Sequence, residues 1–267
     1  MIVLFAIYLF LVAPSKSGVM KRAPFFNRNY AHRGLFSKDQ SVPENSLAAF
    51  KRAVETGFGV ELDVQFSLDL QLVVFHDDKL KRACGVDARV DSYSYEELQA
   101  LPLFGTEHRI PLFSDVLEAI GGRIPIIVEI KSRPDYKPLC AEVIAMLSTY
   151  EGAFCVESFD PRIVRFIRVH APTFIRGQLS EPYSGWRKGK SAFFSFAMSR
   201  LLTNFHTRPH FIAFGVNGRR NLSWYVNKLM GAMMVCWTVR TEEEMKKQQL
   251  GYDAIIFEHI HAEPRFF

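Results

Sequence analysis

The sequence holds few cysteines, no long apolar run and no strong charge of either sign, and each shortage narrows what it encodes. Its 4 cysteines, at positions 84, 140, 155 and 236, form no CxxC pair. That excludes a disulfide scaffold, a zinc knuckle and a thioredoxin-like motif. The apolar runs around them (AFCVESF, MMVCWTV) read as settings for buried, reduced thiols. No stretch reaches the roughly 18 apolar residues of a spanning helix, so a polytopic membrane protein is excluded. Lys and Arg number 33 against 28 Asp and Glu, a net charge of only +5. With no long basic run and no zinc-finger spacing, nucleic acid is not an expected partner. Internal repeats, linkers and low-complexity segments are also missing.

What remains is a globular composition, 48% hydrophobic and 23% charged over 267 residues, which excludes a disordered or collagen-like chain. The length suits one large α/β domain. The 24 phenylalanines favour contact with lipid or with an apolar ligand.

The N-terminus departs from this profile. Met1 to Ala13 is continuously apolar and is closed by Pro14. At about 1.5 Å per residue it reaches roughly 20 Å, short of the ~30 Å hydrocarbon core of a bilayer. No basic segment precedes it and no clear A-x-A site follows, so it reads as a short uncleaved anchor rather than a cleaved signal. Lys16, Lys21 and Arg22 flank it, and the positive-inside rule puts the following domain on the cytoplasmic side. The expected organisation is an anchor or signal-like segment over 1–22 and one domain over 23–267.

From residue 28 onward, short apolar runs alternate with amphipathic stretches, the βαβ signature. Strands are expected at 29–34, 59–66, 72–77, 125–131, 153–159, 174–179, 211–216, 233–239 and 253–258. Helices separate most of them. PENSLAAFKRAVETG has Asn45 or Ser46 as N-cap and Gly57 as its stop; SFDPRIVRFIRVHAP opens on Ser158 or Asp160. The second and third runs are separated by SLDLQ alone, too short for a crossover helix, so they form a hairpin. A turn centred between Asp69 and Leu70 sets Asp63 opposite His76. The result is a TIM-like (β/α)8 barrel, with an insertion at about 78–113 and an excursion at about 181–209. The excursion holds a basic patch, WRKGK (186–190), and the apolar stretch AFFSFAMSRLLTNF, suited to covering the barrel or lying at a membrane interface.

Ionisable residues gather at the ends of these strands. Glu61 and Asp63 alternate, as do Glu129 and Lys131, so each pair shares a strand face. His32 and Arg33 follow the first strand, and His76 ends the third. Barrel enzymes build their sites at this end. The carboxylates Glu61, Asp63 and Glu129 suit one hard divalent cation, Mg2+ or Ca2+. Arg33 offers a planar fork for phosphate oxygens, and His32 with His76 suits a base and an acid near neutral pH. The combination points to hydrolysis of a phosphate ester.

These residues lie in AHRG (31–34), PENSLAAF (43–50), GVELDVQ (59–65), VVFHD (73–77) and VEIK (128–131), followed by SFDP, IRGQL, WTVR and DAIIFE. In order and spacing the series resembles the glycerophosphodiester phosphodiesterase family, from about residue 29 to 259. The resemblance implies a phosphodiesterase barrel that releases glycerol 3-phosphate and an alcohol. It implies His32 and His76 as the acid–base pair, Arg33 and Lys131 as phosphate ligands, Glu61, Asp63 and Glu129 as metal ligands, and Trp237 as a pocket wall. It further implies attack by the substrate's own glycerol hydroxyl through a cyclic phosphate. Two departures stand out: Phe257-Glu258-His259 where the family commonly has Thr-Asp then Pro, and Asp-Leu where the hairpin turn usually has Asp-Gly. The apolar N-terminus and the 181–209 segment resemble membrane-associated bacterial members, which adds a membrane surface as partner and a lysophospholipid as substrate. Competing readings are a phospholipase C-like or lysophospholipase D-like enzyme on the same barrel, and a non-catalytic lipid head-group sensor.

Overall fold

A computed structural model of the chain describes residues 1–17, 20–186, 191–218 and 220–266, with the backbone alone at 185 and 186. In chain order the elements are α1 (Ile2–Val12), β1 (Arg28–His32), α2 (Leu47–Thr56), β2 (Gly59–Phe66), β3 (Leu72–Val74), α3 (Lys81–Cys84), α4 (Tyr95–Gln99), α5 (Phe113–Ile120), β4 (Ile126–Ile130) and α6 (Tyr136–Ser148). There follow β5 (Phe154–Ser158), α7 (Pro161–His170), β6 (Arg176–Ser180), α8 (Tyr183–Trp186), α9 (Ala192–Ser199), α10 (Asn204–Thr207), β7 (Phe211–Gly215), α11 (Leu222–Leu229), β8 (Met233–Val239), α12 (Glu242–Gln249) and β9 (Ala254–Phe257).

All strands but β3 pair in parallel, in the order β1-β9-β8-β7-β6-β5-β4-β2, and β1 pairs back onto β2 to close the ring. This is the eight-stranded α/β barrel expected from the alternating pattern. The strands are buried on both faces, which is why they read as continuous apolar runs. β3 stays outside the ring and pairs antiparallel with the end of β2.

The caps follow the sequence. Ser46 Oγ accepts the Ala49 N–H at 3.2 Å, and Gly57 ends α2 at φ 78°. Asp160 caps α7, with Pro161 in its first turn. One register differs from expectation. Val64 pairs with Val74, and Phe75 N–H donates to the Asp63 carbonyl at 3.0 Å, so Phe75 rather than His76 stands opposite Asp63. The hairpin loop closes from Ser67 N–H to the Gln71 carbonyl at 3.0 Å, with Ser67 Oγ on Asp69 at 2.6 Å. Its centre is therefore Asp69 itself, and Leu70 carries the positive φ of 60° that a glycine more often supplies.

The segment after β3 packs a small core of its own, in which Val73 and Phe75 meet Leu80, Ala83, Val90, Leu98, Leu103 and Ile110. The thiols are free, and Cys140, Cys155 and Cys236 are buried. The apolar 181–209 stretch does not form one helix. α9 and α10 divide it, Met198 and Leu201 turn inward, and Phe193 and Phe196 stay exposed. Of the WRKGK patch, residues 187–190 lie outside the described residues.

At the N-terminus α1 packs against α10 and α11. Tyr8 Oη meets Ser223 Oγ at 2.8 Å, and Asn204 Nδ2 donates to the Val12 carbonyl at 2.9 Å. No described helix is long and apolar enough to cross a membrane.

Candidate active site

At the C-terminal end of the barrel the strands surround a cavity of about 320 Å3. Its wall includes His32, Arg33, Glu61, His76, Glu129 and Trp237. Alternation along β2 and β4 turns Glu61, Asp63 and Glu129 to the barrel axis, and the parallel register sets Asp63 beside Glu129. An oxygen from each of the three carboxylates lies within 4.8 Å of the others.

This trio is buried and unevenly charged. Burial, and then the neighbouring Asp63, Glu129 and Glu157 carboxylates, push the Glu61 carboxyl well above its usual range. Burial acts the same way on Asp63, but Lys131, His76, Arg33 and the Asn45 amide overcome it and hold Asp63 well below that range. Lys131 Nζ lies 3.1 Å from Asp63 and 2.9 Å from Glu129. The donor set is oxygen only, with no sulfur or imidazole among the three, and it concentrates negative charge out of water. Those properties fit a hard divalent cation.

Each histidine is held by a carboxylate that is itself held by an arginine. His76 Nδ1 lies 2.6 Å from Asp77, and Arg82 Nε donates to Asp77 at 2.7 Å. His32 Nδ1 bonds Glu258 Oε1, and Arg240 Nε donates to the other Glu258 oxygen at 2.7 Å. With Nδ1–H donating in both cases, each ring turns Nε2 to the site; that of His32 lies 3.7 Å from Glu61. Hydrogen bonding to His32 and Arg240 outweighs burial and holds the Glu258 carboxyl down to about 2. Burial lowers the pKa of His32, and Glu258 partly restores it.

Arg33 adopts a positive φ of 56° just beyond β1, before Gly34 at φ 81°. A Cβ at Gly34 would stand 2.9 Å from the Ala49 side chain, so the chain turns there against α2. The turn aims Arg33 N–H at Glu61 at 3.2 Å and Arg33 Nη1 at Glu44 at 2.7 Å. Arg82 grips the same Glu44 with both terminal nitrogens, at 2.9 and 2.7 Å. Asn45 is not the cap of α2; at φ 54° it points Nδ2 to Asp63 at 2.9 Å. Trp237 lines the cavity in a T-shaped contact with Phe159, and its indole N–H has no acceptor among the described residues.

The structure therefore brings His32, Arg33, Glu61, Asp63, His76, Glu129, Lys131 and Trp237 to one end of the barrel. Sequence reasoning missed Glu258, Glu157 and the Glu44 clamp. Glu157 stands beside Glu129 in the β4–β5 register, and burial followed by the Glu129 and Asp63 charges pushes its carboxyl well above the usual range. Its signal was available, since it faces inward from an apolar strand as Glu61 does.

Comparison with known proteins agrees with this geometry. A family model described as the glycerophosphoryl diester phosphodiesterase family matches residues 32–262. A glycerophosphodiester phosphodiesterase of Caldanaerobacter subterraneus subsp. tengcongensis is 30% identical over 247 residues, 85% of this chain and 91% of that one. The human lysophospholipase D GDPD1 is 34% identical over 137 residues, 46% of this chain and 42% of its own. Among solved structures, an Oleispira antarctica phosphodiesterase in complex with the product sn-glycerol-3-phosphate superimposes with a TM-score of 0.71. It shares 21% identity, with 87% of this chain and 93% of that chain covered, and so agrees in fold. Since the family match starts at His32 and runs through every strand of the ring that follows it, the chain belongs to the glycerophosphoryl diester phosphodiesterase family.

Proposed function

We propose that this chain hydrolyses glycerophosphodiesters to glycerol 3-phosphate and the free alcohol, with His32 and His76 as its acid–base pair. The observation that carries the assignment is the twofold arrangement His–carboxylate–arginine, His32–Glu258–Arg240 and His76–Asp77–Arg82, beside one acidic cluster. Each carboxylate fixes its ring with Nε2 available, so one histidine can accept a proton while the other donates one.

In the proposed reaction the glycerol hydroxyl next to the phosphate gives its proton to one histidine and attacks phosphorus. The bond from phosphorus to the alcohol breaks, and the other histidine protonates the departing oxygen. Water then opens the cyclic phosphate with the two roles reversed, yielding glycerol 3-phosphate. Arg33 would balance phosphate charge from the cavity wall and Lys131 from its seat between Asp63 and Glu129, and the Trp237 indole N–H would offer a donor to the substrate. Glu61, Asp63 and Glu129 would hold a divalent cation, Mg2+ or Ca2+, which when bound supplies positive charge to the phosphate oxygens.

The test is release of glycerol 3-phosphate from glycerophosphocholine and glycerophosphoethanolamine, with Mg2+, with Ca2+ and with EDTA. Metal-dependent release, absent from His32→Ala and His76→Ala, is expected. Binding without turnover by the folded, metal-loaded protein would instead make it a head-group sensor.

A further inference from the structure

We propose that the face of the barrel bearing the active-site mouth docks on a lipid bilayer, seating the mouth against the membrane so that substrate enters from the lipid. Tyr8 meets Ser223 at 2.8 Å. One turn later, Asn204 Nδ2 bridges the Val12 carbonyl at 2.9 Å and Asn227 Oδ1 at 3.2 Å. Residues 8 to 12 therefore run alongside 223 to 227, and α1 is parallel to α11.

Helix α11 starts above the C-terminal end of β7 and runs down the outside of the barrel. Tyr8 sits level with that start, so the residues before it continue past the rim. At 1.5 Å per residue, Met1 to Ile7 rise about 10 Å above it. They are exposed throughout: Leu4 is 71%, Phe5 56% and Ile7 50% accessible.

A second apolar group stands on the same rim. Ser180, at the end of β6, donates Oγ to the Met198 carbonyl at 3.0 Å, and Asn221, the cap of α11, donates to the Ser199 carbonyl at 2.8 Å. These bonds fix α9 over the top of the barrel, where it exposes Phe193 (80%) and Phe196 (49%). Pro182 and Ser184, in the same β6–β7 connection, line the catalytic cavity. The apolar projections and the mouth thus share one end of the molecule.

The chemistry of α1 selects the occupant. Its sequence, IVLFAIYLFLV, has no polar face except Tyr8, whose hydroxyl turns back to the barrel. A protein groove takes an apolar stripe and leaves the far side in water, whereas the projecting turns here are apolar all round. Only a surrounding apolar medium satisfies such a segment, and a rise of about 10 Å, well short of the ~30 Å hydrocarbon core, carries residues 1–7 into one leaflet. The substrate clause of this inference, a lysophospholipid held in the bilayer, rests on the phosphodiesterase reading; the docking does not.

The full chain would be sedimented with phosphatidylcholine vesicles, with and without phosphatidylglycerol, beside three variants. Leu4→Asp and Phe193→Asp should each lower the vesicle partition coefficient at least about tenfold, given about 0.8 kcal/mol per CH2 withdrawn from lipid. Leu250→Asp should leave it unchanged, since Leu250 is 89% exposed at the end of α12, on the opposite end of the barrel. If Leu4→Asp does not fold, Ile2→Asp replaces it. In the activity arm, the two docking variants should lose turnover of vesicle-borne lysophosphatidylcholine and keep that of dissolved glycerophosphocholine. Equal loss of binding in Leu250→Asp, or no vesicle binding at all, overturns the docking. So does a dimer that only Leu4→Asp dissociates, which would assign the face to a second copy of the chain. Wild-type binding to vesicles with no turnover of glycerophosphocholine would count against the enzyme assignment and leave the docking standing.

Discussion

The carboxylate of Glu258 holds Nδ1 of His32 through one oxygen and takes the Nε–H of Arg240 through the other. A residue just past the last strand of the ring thereby orients a histidine on the first. Glu258→Gln keeps the shape but no longer fixes the tautomer or offsets an imidazolium. The expected result is kcat lowered about 10- to 100-fold with KM within about twofold, and partial recovery in Glu258→Asp. Steady-state kinetics on glycerophosphocholine would check it. An unchanged kcat would remove Glu258 from the machinery.

Asn45 reaches Asp63 only because its backbone sits at φ 54°. Asn45→Gly keeps that backbone and deletes the amide; Asn45→Ala deletes the amide and adds strain. Both should weaken divalent-cation binding about 10- to 100-fold by titration calorimetry, and Asn45→Ala alone should also lose thermal stability. Equal affinity in wild type and Asn45→Gly would make the contact incidental.

The buried trio predicts opposite effects of one substitution in two conditions. Burial and the neighbouring carboxylates disfavour charge on Glu61, so Glu61→Gln should melt in EDTA no lower than wild type. Saturating divalent cation should raise the wild-type Tm by about 5–10 °C and leave Glu61→Gln nearly unmoved. Differential scanning fluorimetry in EDTA and in each metal reads both. A melting point that falls in EDTA would contradict the electrostatic account.

His210 gives a dependence of stability on pH away from the site. Arg176 N–H donates to its Nδ1 at 3.2 Å, which leaves the proton on Nε2 facing Ser17 Oγ at 3.1 Å. Burial, and then Arg176 and Arg22, lower its pKa to about 3. Between that value and the ordinary 6.5 the unfolded chain binds the extra proton. The stability present above pH 6.5 is therefore lost as pH falls toward 3, by at most about 1.4 kcal/mol per pH unit. His210→Asn, which retains an acceptor at the Nδ1 position, should flatten that part of a urea-denaturation series. An identical slope in the two proteins would assign the loss to other groups.

Much of this was readable in the chain because short-range rules govern it. Ser46 and Gly57 bound a helix by local hydrogen bonding and by φ, and Glu61 and Asp63 share a face through the two-residue repeat of a strand. What the sequence did not reveal depends on closing the ring. Glu258 stands 226 residues from His32 and meets it only because β9 pairs with β1. Asn45 looked like a cap because it belongs to the capping residue types, yet Ser46 takes that role and frees Asn45 for Asp63. The hairpin slipped by one residue from the expected register because Ser67 and Gln71 close the turn about Asp69 rather than between Asp69 and Leu70.

His76 follows a strand that lies outside the ring, in a segment packed on its own small core of Leu80, Val90, Leu98 and their neighbours. The two histidines thus stand on different ground: His32 on the barrel wall, His76 at the edge of an insertion that adds its own small core while sharing Leu72 and Val74 with the main one. Substitutions in that small core should displace His76, the proposed second proton-transfer partner, more than they displace the acidic cluster on β2 and β4. Arg82 in the same segment grips Glu44, which in turn holds Arg33, so the insertion reaches the barrel site through that clamp as well as through His76.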